Sequence, residues 1–344
     1  RRFGVVTMSG HDATEIWLVD LADAEAPAKL VAAREARHRY AIEHHGDTLF
    51  IRTNADGAED FKLMTAPLAA TSRENWRDLV AYRAGRMIVV VSAYARHIVR
   101  LERENGLPRI VVREIASGAE HAISFPEEAY SLRIEEGLEF DTNILRFVYS
   151  SMTTPAETYD YDMASRTRAL RKRQEIPSGH DPARYVTRRI YATAADGAQV
   201  PISLLSLRSR TGAAPCLLYG YGAYGHATPA AFNANRLSLV DRGFVFAIAH
   251  VRGGTDKGWA WYENGKLERK PNTFSDFIAS ARKLIEEGFT AQGRIVAQGG
   301  SAGGMLMGAI SNMAPELFAG VIAEVPFVDV INTMLDKDLP LTPP

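Results

Sequence analysis

The residues of this chain best placed to do chemistry lie in "AQGGSAGGMLMG", residues 297–308, where a serine stands among glycines. Gly299, Ser301 and Gly303 form G-x-S-x-G between the short apolar run "RIVAQ" and the segment "MLMGAISNM", which can wind as a helix. A serine hydroxyl raised on a strand-to-helix turn is suited to nucleophilic attack on an acyl carbon. The turn is so tight that flanking side chains collide, hence glycine on either side. Ser301 is the candidate catalytic nucleophile. The N–H of Ala302, at the start of the helix, is a candidate oxyanion donor, because unpaired N–H groups and the helix dipole favour developing negative charge there. The bland alternative is a glycine-rich structural turn.

The elements that must hold such a serine are legible beyond residue 191. Strand-like runs ("APCLLYGYG", "GFVFAIAHV", "RIVAQ" and "AGVIAEVPF") alternate with the helical segments "NTFSDFIASARKLIEEG" and "MLMGAISNM". Continuous apolar strands separated by helices predict a doubly wound, mostly parallel sheet covered on both faces, the setting of this serine turn in α/β-hydrolases. The longer helix is strongly signed. Thr273 is placed to cap it with Asp276 reaching back; Phe274, Phe277, Ile278, Ala281, Leu284 and Ile285 recur at helical spacing; Gly288 ends it. A second informative stretch, "LLYGYGAYGHA" at residues 217–227, reads either as aromatic packing or as the loop that supplies the other half of an oxyanion hole.

The first half is different. Pairs of β-rich segments recur: "RFGVVTMS" with "EIWLVDL", "TLFIRTNA" with "DFKLMTAPL", "MIVVVSAYA" with "RIVVREI", and "NILRFVYSSM" with "ETYDYDM". The second members start near Ile16, Phe61, Ile110 and Thr158, separations of 45, 49 and 48 residues. That period predicts part of a β-propeller of four-stranded blades, with a non-repeating β-sandwich as the alternative. The expected division is blades over residues 1–170, a basic, turn-rich linker over 171–190, and a partial α/β-hydrolase domain over 191–344. Arg171, Lys172 and Arg173 read as a solvated face.

Composition removes other classes of function. With 40 basic and 41 acidic residues and no long like-charge block, neither a nucleic-acid surface nor an anionic-membrane surface is expected. No apolar run reaches the roughly eighteen residues of a membrane span. One cysteine, Cys216, excludes an intramolecular disulfide and fits a reducing compartment, so a cytoplasmic location is expected. No metal or cofactor motif is present. At 344 residues two domains are expected.

Together "LYGYGAYG", "HVRGG", "NTFSDF", "GGSAGGMLMG", "PELF" and "VPFVDV", in this order, resemble the prolyl oligopeptidase family of serine peptidases, within it the branch that cleaves after basic residues. The likeness is dense from about Pro201 onward and looser over the β-repeats, where "SSMTTP" shares it. The resemblance implies a hydrolase domain capped by a seven-bladed propeller, and short peptides cut after Arg or Lys through an acyl-enzyme on Ser301. It also implies Tyr221 as an oxyanion-hole hydroxyl beside the N–H of Ala302, and Tyr224 and Phe327 as walls of the substrate-binding pocket. Arg252 reads either as a substrate contact or as a structural ion pair.

Two departures stand out. The stretch "HATPAAFNAN" lacks the aspartates that, in this branch, favour a second basic substrate residue. In this fold the order is Ser, Asp, His, yet no histidine follows Ser301; His226 and His250 precede it. The expectation is therefore a fragment without its triad Asp and His, with His226 and His250 as ordinary loop or core residues. An esterase or acylaminoacyl-type peptidase, and a non-catalytic propeller interaction protein, are the alternatives.

Overall fold

A computed structural model describes residues 2–10, 12–23, 25–137 and 139–339; residues 340–344, the end of the expected hydrolase domain, lie outside the described residues. The first half folds as four antiparallel meanders. The first contains β1 (Phe3–Ser9), β2 (Thr14–Asp20) and β3 (Lys29–Ala32). The second runs through β4 (Tyr40–His45), β5 (Thr48–Thr53), β6 (Lys62–Pro67) and β7 (Arg77–Val80). The third comprises β8 (Arg86–Ala93), β9 (His97–Glu104), β10 (Leu107–Glu114) and β11 (Glu120–Ala122), and the fourth β12 (Tyr130–Ile134), β13 (Ile144–Ser151), β14 (Glu157–Asp162) and β15 (Thr167–Arg173).

Successive sheets share apolar cores, as propeller blades do. Ile16, Leu18, Leu49 and Met64 join the first to the second; Leu63, Met87 and Ile98 the second to the third; Val99, Ile110, Leu145 and Phe147 the third to the fourth. The sequence period is explained by β2, β6, β10 and β14, each second from the end of its sheet. The third repeat is corrected, because β9 lies between the two segments paired from sequence. Its hydrophobic alternation is masked by Arg100 and Glu102, both buried, with Arg100 paired to Glu102 and Glu120.

The passage between sheets is shorter than the expected 171–190. β15 runs to Arg173, its exposed Arg171 and Arg173 pairing with Asp160 and Glu157 of β14, and β16 (Tyr185–Thr193) opens the next sheet. That sheet continues with β17 (Gln199–Leu207), β18 (Cys216–Tyr219), β19 (Val245–Ala249), β20 (Ile295–Gly300) and β21 (Phe318–Glu324) in the order β16-β17-β19-β18-β20-β21. Pairing is parallel from β19 to β21 and antiparallel at the β16–β17–β19 edge. One face is covered by α1 (Ala234–Val240). The other carries α3 (Pro271–Glu286) and α4 (Ala302–Met313); α2 (Trp259–Glu263) lies between α1 and α3 in the chain.

The α3 start differs from expectation. Pro271 supplies a preset φ at the first turn, so the helix begins two residues before Thr273. Thr273 and Asp276 are fully buried and serve the loop after β19 instead: Thr273 Oγ1 donates to Arg252 O at 2.8 Å, and Asp276 accepts from Arg252 N and Nε at 2.9 Å each. The apolar stripe and the end at Gly288, φ 69°, are as expected. Propeller and hydrolase domain meet at several places, residues 255–259 among them. Gly106 N donates to Asp256 O, Arg103 reaches Thr255, Asp60 accepts from Trp259 N, and the Arg39 guanidinium lies 3.8 Å from the centre of the Trp259 ring.

Candidate active site

Ser301 stands between β20 and α4 with φ 54° and ψ −117°, a strained conformation for a residue bearing a Cβ. The strain is held by three backbone bonds: Ser301 N to Glu324 O at 2.9 Å, Gly304 N to Ser301 O at 2.8 Å, and Phe327 N to Ser301 O at 3.0 Å. The glycines are sterically required. A Cβ on Gly299 would lie 2.4 Å from Gly303 O, and one on Gly303 would lie 2.8 Å from Gly220 O. The consequence is an exposed serine beside the first N–H of a helix, that of Ala302, whose own side chain is buried.

The loop after β18 packs directly on this turn. The Cβ position of Gly303 is 3.4 Å from both Cα and Cδ2 of Tyr221, so the tyrosine backbone and ring lie against the elbow. Tyr221 is half-buried, and desolvation raises its phenol pKa, with smaller contributions from Tyr224 and Tyr219; its hydroxyl stays a donor through the neutral range. Tyr224 adopts φ 56° on the rim of the same loop and is 57 % exposed. Phe327 is fixed to the elbow through its N–H, and among the described residues no ring contact joins it to Tyr224.

The loop is itself supported by residues 251–255. Gly225 N donates to Gly253 O at 3.0 Å and Thr255 Oγ1 to Gly225 O at 2.7 Å. Arg252 is 4 % exposed and pairs with both Asp276 and Asp196, the structural of its two readings. Its guanidinium is committed beneath the site.

Among the described residues neither upstream histidine, His226 or His250, is hydrogen-bonded to Ser301. His226 meets the Tyr221 ring edge-on at 5.4 Å. His250 is 2 % exposed and uses both ring nitrogens, Nδ1 against Asp256 Oδ1 and Nε2 against Ser203 Oγ, each at 2.8 Å. Ser203, His250 and Asp256 thus reproduce the connectivity of a catalytic triad, but Ser203 has no exposed surface, so no acyl carbon can reach it. Spacing in the chain hides this cluster, because its three members come from β17, the end of β19 and the following loop. Lys270 was equally invisible: the charged run "GKLERKPN" reads as surface, yet the Lys270 ammonium donates to Gly222 O inside the tyrosine loop.

The arrangement sets an exposed serine beside a helix N–H and the Tyr221 loop, and the chain that carries it is similar to known proteins. Residues 4–174 match the family described as "Prolyl oligopeptidase, N-terminal beta-propeller domain", and residues 230–343 match "Prolyl oligopeptidase family". Dipeptidyl aminopeptidase BI of Pseudoxanthomonas mexicana is 45 % identical over 91 % of the chain and 43 % of its own length. Protease 2 of Moraxella lacunata is 36 % identical over 99 % of the chain and 49 % of its own length. The structure of oligopeptidase B from Trypanosoma brucei with covalently bound antipain superposes with a TM-score of 0.90 at 36 % identity, covering 99 % of the chain and 50 % of that protein. The chain spans about half the length of the curated relatives it matches.

Proposed function

The chain belongs to the prolyl oligopeptidase family, and from that premise we propose that it carries the nucleophile and oxyanion half of a serine peptidase site. In this reading the full-length protein hydrolyses short peptides after Arg or Lys through an acyl-enzyme on Ser301. The observation that carries the reading is the exposed, strained Ser301 with Ala302 N–H and Tyr221 beside it. The hydroxyl adds to the scissile carbonyl, charge develops on the carbonyl oxygen, and Ala302 N–H and the Tyr221 hydroxyl are the donors assigned to receive it. Proton removal needs an oriented base. His250 is committed elsewhere and among the described residues no histidine is bonded to Ser301, so in this reading the base comes from the part of the full-length protein that this chain, about half the length of its relatives, does not span.

A basic substrate side chain buried without a carboxylate is heavily penalised, so the pocket requires acid groups. None stands in residues 226–235, and weak discrimination at the second substrate residue follows. The proposed compartment is the cytoplasm, in keeping with one buried thiol, Cys216. Among the described residues no helix is long and apolar enough to cross a membrane.

A second reading is favoured by the relative named a dipeptidyl aminopeptidase, namely release of dipeptides from a free N-terminus. One experiment tests both. Values of kcat/KM are compared for matched peptides ending in Arg, Lys, Pro and Phe, each with a free or a blocked N-terminus. The leading reading expects Arg and Lys to be preferred with either terminus. Equal values across the four residues refute it, and loss of turnover on blocking selects the aminopeptidase.

A further inference from the structure

Tyr221 sits between two glycines, which leave the backbone around it free to rotate. Stiffer residues do not fit. A Cβ on Gly220 would lie 2.7 Å from the Phe277 ring, and one on Gly222, φ 69°, would lie 2.3 Å from Thr273 Cγ2. The loop cannot draw rigidity from its own residues, so contacts have to supply it. Two hydrogen bonds bracket the tyrosine: Gly220 N donates to Gln298 O of β20 at 3.1 Å, and the Lys270 ammonium donates to Gly222 O.

Lys270 is an unusual donor for that task. It stands immediately before Pro271 of α3, half-buried, and among the described residues no carboxylate pairs with it. Burial alone pushes its pKa down to about 8. Arg252, in the supporting loop, shows the ordinary solution, two carboxylates around one buried cation. A cation desolvated against a single backbone carbonyl is unfavourable by itself. What it provides is a charge-assisted bond, stronger than a neutral donor makes, at the one carbonyl that follows Tyr221.

We propose that Lys270 is a positioning residue which, by holding the Gly222 carbonyl, fixes the Tyr221 hydroxyl where the oxyanion forms. The proposal rests on Ser301 as nucleophile and Tyr221 as donor. Without the clamp the loop hinges at Gly222 and the hydroxyl moves off its target. The loss falls on kcat rather than on substrate binding, because the ground-state carbonyl needs the donor less than the transition state does.

The test is a double-mutant cycle of K270M and Y221F in the full-length protein, with kcat and KM measured on an arginine-ending peptide. K270M is expected to lower kcat on the order of tenfold, less than the 10²–10³ that outright loss of an oxyanion donor costs. KM should stay within about twofold. In the Y221F background K270M should add less than about twofold, since the group it positions is already gone. K270R should recover part of the loss, and if K270M does not fold, K270R with Y221F closes the same cycle. Equal losses in both backgrounds, or an unchanged kcat, overturn the clamp. A wild type without Ser301-dependent turnover overturns the underlying assignment instead, and the clamp with it.

Discussion

Two serines of this chain invite comparison. Ser203 has everything a triad diagram asks for, a histidine at 2.8 Å that is itself 2.8 Å from an aspartate, and has no exposed surface. Ser301 has no histidine bonded to it among the described residues, yet it is exposed, backbone-strained and set beside the N–H of Ala302 and the Tyr221 loop. The difference separates connectivity from catalysis. A hydrogen-bonded Ser-His-Asp chain in a dry interior satisfies polar groups and ties β17, β19 and the 250–256 loop together, whereas access and preorganised donors make a reactive centre.

The strongest way to break this comparison is to ask the 344 residues to work alone. With His250 committed and no histidine after Ser301, turnover of an arginine-ending fluorogenic peptide should equal that of Ser301→Ala, far below the 10⁶-fold or so that enzymes commonly reach. Turnover that depends on Ser301 in this chain means that His226, His250 or another group is recruited as base. Next in size is Tyr221→Phe in the full-length protein, expected to cost about 2–4 kcal/mol of transition-state stabilisation. An unchanged kcat removes Tyr221 from the mechanism.

The buried cluster should answer to stability rather than rate. His250→Ala leaves Ser203 and Asp256 without their partner, a loss of about 1–3 kcal/mol per unsatisfied group, read in a denaturant titration. Its effect on labelling of Ser301 by a serine-directed phosphonate should be negligible. A large fall in labelling rate with stability intact would place His250 in the chemistry.

The smallest effect concerns pH. Lys270 has a folded pKa of about 8, below its ordinary 10.5, so between these values the unfolded chain binds more protons. Stability therefore rises as pH climbs from about 8 toward 10.5, and the penalty of the buried charge is fully present below about 8. Thermal midpoints across that window should rise more steeply in the wild type than in K270M, and identical slopes contradict an uncompensated charge.

Legibility in the sequence followed locality. The serine turn could be read because its glycines, strand and helix are contiguous, and the blades because one strand position recurs at nearly constant spacing. β9 was hidden by its buried Arg100 and Glu102, charged residues that a hydrophobic period cannot register. Thr273 and Asp276 carry a plausible capping pattern, but Pro271 starts the helix earlier and Arg252 claims their oxygens. The clamp at Lys270 and the Ser203 cluster depend on residues 47–48 positions apart meeting in space, which no local pattern reports.

The most direct test of the central claim is peptide mapping of the full-length protein after reaction with a fluorophosphonate, for wild type, Ser301→Ala and Ser203→Ala. One adduct on Ser301, absent from Ser301→Ala and undiminished in Ser203→Ala, is the result expected. Equal labelling of Ser301→Ala, or an adduct on Ser203, contradicts it.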